Sequence, residues 1–204
     1  MLLDISQPVT AQNAVFPGDV PFSCGWTATK QDGSSVNLGW QKGTPHVGTH
    51  VDAPYHYDAG GARVGGLDLA AFVGRAVVVD AVGRASIDVD AFRGLDLAAA
   101  PRVLLKTARR SDPHAFRTDF PVLTMDAVAH MRAAGVRLVG IDAPSFDAVD
   151  SKTLDVHHAL GRAGIANVEN LVLDRTDAGT YEFLGAPVAW VEMDAAPLRA
   201  LLRR

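Results

Sequence analysis

The chain has 204 residues, of which 48% are hydrophobic and 21% are charged, and its formal net charge is −4. This balance is typical of a globular domain and excludes a disordered or fibrous protein. The arginines form no basic stripe and no apolar run is long enough to cross a bilayer, so nucleic-acid binding and a membrane span are excluded as well.

The first third of the chain is predicted to form strands and loops. Strand-like patterns occur at residues 2–5, 22–29 and 35–41. In the last of these, Val36, Leu38 and Trp40 alternate with small or polar residues, which predicts a half-buried strand. The single cysteine, Cys24, has no neighbouring cysteine or histidine, so we expect it to pack rather than react. With no internal disulfide and no signal-peptide pattern at the N-terminus, we expect a cytoplasmic location.

Beyond residue 75, predicted strands alternate with predicted helices. The strands are expected at residues 75–82, 102–107, 136–141 and 167–173, and the helices at residues 88–97, 124–134 and 153–162. Thr124 is the expected N-cap of the second helix. The tail at residues 194–204 fits a helix, with an edge strand as the alternative. We therefore expect one mixed α/β domain over residues 1–204, with part of its sheet parallel.

Residues 45–56 read PHVGTHVDAPYH and concentrate potential metal ligands. His46, His50, Asp52 and His56 all lie at even positions, so they would share one face of an extended chain. A helix is disfavoured because Pro54 forces the preceding residue out of helical geometry. Imidazole nitrogens and carboxylate oxygens that converge on one side are the ligands that Zn²⁺ or a similar ion requires. The segment therefore predicts a metal site.

A flat strand cannot bring these four side chains to one metal site. It would hold His46 and His56 about 33 Å apart, given about 3.3 Å per residue. The segment must therefore curl, and Gly48 and Pro54 are the residues suited to turning it.

Two later segments offer further candidate ligands. Glu169 lies in an apolar stretch, where a buried carboxylate is costly unless a cation accompanies it. His157 and His158 lie on a predicted helix and point about 100° apart, so only one would face the site, and spacing does not say which. Asp142, at a strand end, could orient a ligand histidine or cap a turn. A surface or core role for these residues remains the alternative.

The motif from His46 to His56 resembles the HxGTHxDxPxH signature of the cyclase-like metal hydrolases. Other segments are similar to bacterial kynurenine formamidases: DIS from Asp4, FPGD from Phe16, DAPS from Asp142, SKTLD from Ser151 and ENLVLD from Glu169. The resemblance covers nearly the whole chain. It implies an α/β fold of the swivelling-domain type, usually as a homodimer with sites near the subunit interface.

The resemblance also implies the ligands and their roles. Two zinc ions per chain would be held by five residues: His46, His50, Asp52, His157 and Glu169. Asp52 and Glu169 would bridge the ions, and manganese or another divalent ion could replace zinc. The family carries its ligand on the first histidine of the helix, which selects His157 over His158. His56 would be the general acid or base rather than a ligand.

The implied activity is hydrolysis of N-formyl-L-kynurenine, a small aromatic formamide, to L-kynurenine and formate. Phe16 occupies a substrate-contacting position where bacterial kynurenine formamidases commonly have tryptophan, so this chain keeps an aromatic surface but loses the indole N–H. A core position for Phe16 beneath the turn at Pro17 is the alternative. Competing functions are hydrolysis of cyclic amides of the isatin type and non-catalytic, metal-stabilised binding.

Overall fold

The structure, a computed structural model, describes residues 1–204 and contains thirteen β-strands and two α-helices. The strands are β1 (Leu2–Asp4), β2 (Ser23–Ala28), β3 (Leu38–Lys42), β4 (His50–Asp52), β5 (Val73–Asp80), β6 (Ser86–Ile87), β7 (Arg102–Lys106), β8 (Val122–Leu123), β9 (Leu138–Ile141), β10 (Ala166–Glu169), β11 (Gly179–Leu184), β12 (Ala195–Pro197) and β13 (Leu201–Arg203). The helices are α1 (Met125–Ala133) and α2 (Asp155–Ala163). No helix combines the length and the apolar character that a bilayer span requires.

Nine of the strands form one mixed sheet in the order β1-β13-β11-β5-β7-β9-β10-β4-β12. The four central strands β5, β7, β9 and β10 are parallel, and antiparallel strands extend the sheet on both sides. The expectation of a mixed α/β fold with a partly parallel sheet is therefore confirmed. Strands β2 and β3 form a separate hairpin, and β6 pairs with β8.

The central strands are buried on both faces, as a continuous apolar run predicts. Along β5, Val77 and Val79 contribute to the hydrophobic cluster that includes both helices, whereas Ala76 and Val78 contribute to the cluster on the opposite face. This alternation is the period of two expected of a strand. Both clusters hold the parallel strands in place, and the ends of these strands lead into the loops described below.

The predicted helices are partly correct. Helix α1 begins after Thr124, whose Oγ1 accepts a hydrogen bond from Ala127 N–H, and α2 ends at Gly164 in the left-handed conformation. The helix predicted at residues 88–97 is reduced to the 3₁₀ turn Val89–Phe92. The strand predicted at residues 167–173 ends at Glu169, because Asn170 has φ 55° and leaves the extended conformation.

The helix predicted for the tail is wrong, and the alternative of an edge strand is closer. Strand β12 pairs with β4 at the edge of the sheet, and β13 lies between β1 and β11. Pro197 is tolerated at the edge, where a missing N–H costs little. Leu202 and Ala200 are fully buried. Sheet pairing and burial therefore override the helical spacing of the leucines.

The strand predicted at residues 35–41 is present as β3, but its predicted half-burial is wrong. Val36, Leu38 and Trp40 are 53%, 53% and 48% exposed, and Cys24 on the neighbouring strand is exposed rather than packed. The Trp40 ring instead lies over Gly25, where an added Cβ would come within 2.8 Å of it.

Candidate metal centre

The segment from His46 to His56 is bent twice, as its length requires. Only β4 is extended, Gly48 has φ 68°, and Pro54 starts a 3₁₀ turn that ends at His56. A side chain at position 48 would be strained in this conformation, and its Cβ would lie 2.5 Å from Val9. The expectation of one continuous extended face thus holds only for β4, and the two bends return the outer histidines to the same place.

Asp52 lies at the middle of the group. Its Oδ1 is 3.0 Å from His46 Nδ1 and 3.3 Å from His50 Nε2. Strand β10 pairs with β4 so that Glu169 is directly opposite His50, and Glu169 Oε2 lies 3.5 Å from His50 Nε2. The sheet register therefore brings the isolated carboxylate of β10 to the histidines of β4.

Helix α2 brings His157 to the opposite side of the two carboxylates. Its Nε2 is 3.2 Å from Glu169 Oε1 and 3.5 Å from Asp52 Oδ2. Each carboxylate therefore directs one oxygen toward the His50 side and the other toward His157. His158 is half-buried against the ring of Tyr57, with ring centroids 5.5 Å apart, and makes no contact with the carboxylates.

Sequence reasoning missed the residue that orients His157. Asp147 Oδ2 lies 2.6 Å from His157 Nδ1 and also accepts the His157 backbone N–H, so Asp147 fixes the ring at the start of α2. With its Nδ1–H donated to Asp147, His157 directs its Nε2 toward the centre. The interpretation of Asp142 as such a partner is wrong, because its carboxylate accepts hydrogen bonds from the backbone N–H and hydroxyl of Thr107 instead.

A second missed carboxylate is Asp194, at the residue before β12. Its Oδ2 lies 3.0 Å from His46 Nε2 and 3.2 Å from His56 Nδ1. The Asp194 carbonyl accepts the Ala53 N–H at 2.7 Å, which fixes this segment beside the end of β4. Asp194 was missed because the tail was predicted as a helix, and a helix there gave no reason to place Asp194 near the segment from His46 to His56.

The histidines and carboxylates of the centre shift one another's pKa values. Burial lowers the pKa of His46, but the nearby carboxylates of Asp194 and Asp52 outweigh burial and raise this pKa to about 10. His157 behaves similarly, since Asp147, Asp52 and Glu169 raise its pKa against the effect of burial. Burial raises the pKa of Asp52, but the neighbouring histidines hold it well below its usual value. The buried carboxylates thus require positive charge around them.

The pKa values of Glu169 and Asp194 are shifted in opposite directions. Burial raises the pKa of Glu169, and the negative charge of Asp52 raises it further. The hydrogen bond from His46 holds the pKa of Asp194 below its usual value, although partial burial opposes this. Asp194 is therefore an anion that accepts hydrogen bonds from His46 and His56. The negative charge of Glu169, by contrast, is not fully compensated by its surroundings.

The donor set fits divalent cations. His50 Nε2 and Asp52 Oδ1 are buried and make no hydrogen bond, while His50 Nδ1 donates to the Gly48 carbonyl at 2.9 Å. Buried polar atoms are rarely left without a partner, and an imidazole lone pair beside a carboxylate oxygen is suited to a metal. Two groups bring ligand atoms within 4.8 Å of one another: His46, Asp52 and His56, and His50, Asp52 and Glu169.

The centre opens into a cavity of about 760 Å³. Phe16 lies at its wall and is 40% exposed, so a core position beneath the Pro17 turn is wrong. Its ring packs edge-to-face on Phe116 at a centroid distance of 5.3 Å, and Phe116 also lines the cavity. Sequence reasoning missed Phe116, which lies in a polar loop without a periodic pattern.

Comparison with known proteins identifies the family of the chain and several similar proteins. The Cyclase family model, described as "Putative cyclase", matches residues 3–148. A kynurenine formamidase of Bacillus cytotoxicus is 39% identical over 201 residues, which cover 98% of this chain and 96% of that protein. A kynurenine formamidase of Paracidovorax citrulli is 42% identical over 208 residues, which cover 100% of this chain and 96% of that protein.

Solved structures share the fold. One described as "Potential Metal-Dependent Hydrolase With Cyclase Activity" superposes with a TM-score of 0.84 at 28% identity, over 99% of this chain and 96% of that one. Isatin hydrolase A from Labrenzia aggregata superposes with a TM-score of 0.81 over 99% of this chain and 93% of that one, but at 21% identity. This second likeness supports the fold alone.

Proposed function

The chain belongs to the Cyclase family of metal-dependent hydrolases, and from this premise we propose that it hydrolyses N-formyl-L-kynurenine to L-kynurenine and formate. The observation that carries the proposal is the near-complete alignment with kynurenine formamidases at 39% and 42% identity. A cavity with an aromatic wall above a cluster of histidines and carboxylates suits a small aromatic formamide.

We propose that two divalent ions, with zinc as the first expectation and manganese as the alternative, bind to five side chains: His46, His50, Asp52, His157 and Glu169. The positions of the carboxylates support a bridging role. Asp52 and Glu169 each have one oxygen toward His50 and the other toward His157. When bound, such ions supply a more acidic water and a positive field at the formyl oxygen.

His56 is the proposed proton carrier. Its Nδ1 donates to Asp194 Oδ2, which leaves Nε2 free to exchange a proton, and its partly exposed side chain lines the cavity. The amide nitrogen of the substrate leaves poorly as an anion, so a proton delivered by His56 makes its departure feasible. Asp194 holds the imidazole in one orientation during this transfer.

Formate release distinguishes the proposed reaction from its competitor. Protein loaded with zinc or with manganese is incubated with N-formyl-L-kynurenine and, separately, with isatin, and bound metal is measured by elemental analysis. We expect formate and L-kynurenine from the first compound and little turnover of the second. Preferred opening of the isatin ring would contradict the formamidase proposal, and no turnover of either compound by fully loaded protein would favour a binding protein.

Replacing Phe16 by alanine is expected to raise KM for N-formyl-L-kynurenine. Loss of ring contact should cost about 1–3 kcal/mol of binding if the substrate ring is well buried, with a smaller change in kcat because stacking is present in both ground and transition states. Steady-state kinetics check the result, with thermal unfolding measured beside them. An unchanged KM together with a large drop in Tm would remove Phe16 from the substrate site.

Phe16→Trp is the matched second variant. It restores the indole donor that kynurenine formamidases commonly have, so KM should stay the same or fall if a partner for that donor is present. An increase in KM comparable to that of the alanine variant would show that the cavity does not accommodate an indole at this position.

We propose a homodimer in which the hairpin of β2 and β3 contributes to the interface. Trp26, Leu38 and Trp40 are 66%, 53% and 48% exposed, and such an apolar hairpin is costly to leave in water. The double variant Trp26→Ser and Trp40→Ser should shift the wild-type dimer to monomer in light scattering. Leu69→Ser, at another exposed apolar side chain, is the control, and a monomeric wild-type protein contradicts the proposal.

We also propose that residues 1–204 act as one domain. Strands from both ends of the chain lie in the same sheet, since β1 pairs with β13 and β4 pairs with β12. Unfolding followed by circular dichroism and by tryptophan fluorescence should therefore give coincident transitions. Two separated transitions would contradict this proposal.

A further inference from the structure

We propose that the cavity contains a subsite for an α-amino acid head group, in which Arg110 binds the carboxylate and Asp19 binds the ammonium group. Both residues line the cavity that contains His56 and Phe16. The inference rests on the proposed function and concerns the part of the substrate that lies away from the formyl group. It would make this cavity selective for a zwitterionic aryl formamide over a neutral one.

The cations of the cavity differ in what they already bind. Arg110, Arg117 and Lys152 all line it. Arg117 is engaged within the chain, because its Nη1 donates to Thr107 Oγ1 at 2.7 Å and its Nε donates to the Asp119 carbonyl at 2.8 Å. Arg110 and Lys152 have no such hydrogen bond or ion pair with the rest of the chain. These two positive charges are therefore available to a ligand.

The backbone beside Arg110 is fixed although its guanidinium is free. The next residue, Ser111, donates to the Asp174 carboxylate through its backbone N–H at 3.0 Å and its hydroxyl at 2.7 Å. A guanidinium on an anchored loop presents a planar fork that matches a carboxylate with two parallel hydrogen bonds. Lys152 offers only a point charge, so Arg110 is the better match for a carboxylate.

Asp19 supplies the opposite charge from the facing loop. Its backbone N–H donates to the Phe16 carbonyl at 3.0 Å, while its carboxylate accepts no hydrogen bond and forms no ion pair with Arg110. The aromatic contact between Phe16 and Phe116 joins the two loops. A ring held at this contact would have the unpaired Arg110 guanidinium and the unpaired Asp19 carboxylate within the same cavity, and these charges complement those of an amino acid.

The test compares two substrates that share the reacting group. N-formyl-L-kynurenine carries the amino acid, and N-formyl-2-aminoacetophenone has the same ring, ketone and formamide without it. Arg110→Gln should raise KM for the first at least about tenfold, the scale of a lost charge-assisted hydrogen-bond pair, and leave the second little changed. Asp19→Asn should show the same selectivity. Arg109→Gln, at the neighbouring exposed arginine outside the cavity, is the matched control.

Equal losses on both substrates, or an Arg110→Gln variant that behaves like Arg109→Gln, would overturn the subsite. A selective loss in Lys152→Gln but not in Arg110→Gln would overturn the assignment to Arg110. Calorimetric binding of L-kynurenine to the wild type and Arg110→Gln gives a readout independent of hydrolysis. If the wild type releases no formate, the proposed function fails, and this calorimetric comparison still decides the subsite: equal affinities reject it, and weaker binding by the variant supports it.

Discussion

His56→Ala is expected to lose roughly 10²–10⁴ in kcat on N-formyl-L-kynurenine while its metal content stays at the wild-type level, the usual scale for loss of a general acid or base. The physical reason is that the departing nitrogen receives no proton once the imidazole is removed. The loss should shrink for a formamide whose amine leaves more readily. Kinetics on a series of ring-substituted formanilides, together with elemental analysis, check both parts of this prediction.

Metal content decides between two roles for His56. Geometry alone places His56 with His46 and Asp52 in a group that could hold an ion. Loss of one ion in His56→Ala would therefore make it a ligand, and near-normal turnover would reject any role in proton transfer. Added imidazole offers a further check, because the partly exposed side chain leaves a space open to the cavity. Rescue of turnover by imidazole without a change in metal content would support the proton carrier.

His157→Ala is expected to lose at least one of the two ions and nearly all activity, whereas His158→Ala should keep both. The two residues are neighbours on α2, but only His157 reaches Asp52 and Glu169, and His158 packs on Tyr57. Removing a ligand abolishes a bond to the ion, so the affinity should fall steeply. Elemental analysis after equilibration at a fixed zinc concentration gives the ion count, and circular dichroism verifies folding.

Glu169→Gln tests the proposed bridge in the same assay. The substitution keeps the size of the side chain but removes the negative charge between His50 and His157, so metal content and activity should fall together. Glu182→Gln, at a partly exposed carboxylate of β11 outside the cavity, is the charge-matched control. Full occupancy in Glu169→Gln, or equal metal content in the two histidine variants, would mean that the ligand set is misassigned.

The part of the centre that lies within a short segment could be predicted from the sequence. The four candidate residues from His46 to His56 share one segment, and chain length alone required the bends that the structure places at Gly48 and Pro54. Glu169 could be suspected because a carboxylate in an apolar stretch needs a compensating charge. Its position opposite His50 depends on strand pairing, which no local pattern encodes.

Long-range partners could not be predicted in this way. Asp194 contacts His46 across 148 residues, and helical spacing in the tail pointed away from this contact. Asp147 lies only ten residues before His157, but its role depends on the loop that carries it back to the start of α2. Spacing also left His157 and His158 equivalent, because the face of a helix that meets a site is set by packing.

The position of β12 beside β4 determines when the centre can form during synthesis of the chain. Strand β4 leaves the ribosome early, but its edge is covered only after β12 and Asp194 have been made. Until then His46 and His56 lack their shared carboxylate. Strand β10, which pairs with β4 on its other edge, has already been made by that point. Contacts of such large sequence separation form slowly. The arrangement of His46 and His56 around one carboxylate can therefore be completed only after translation has passed residue 194.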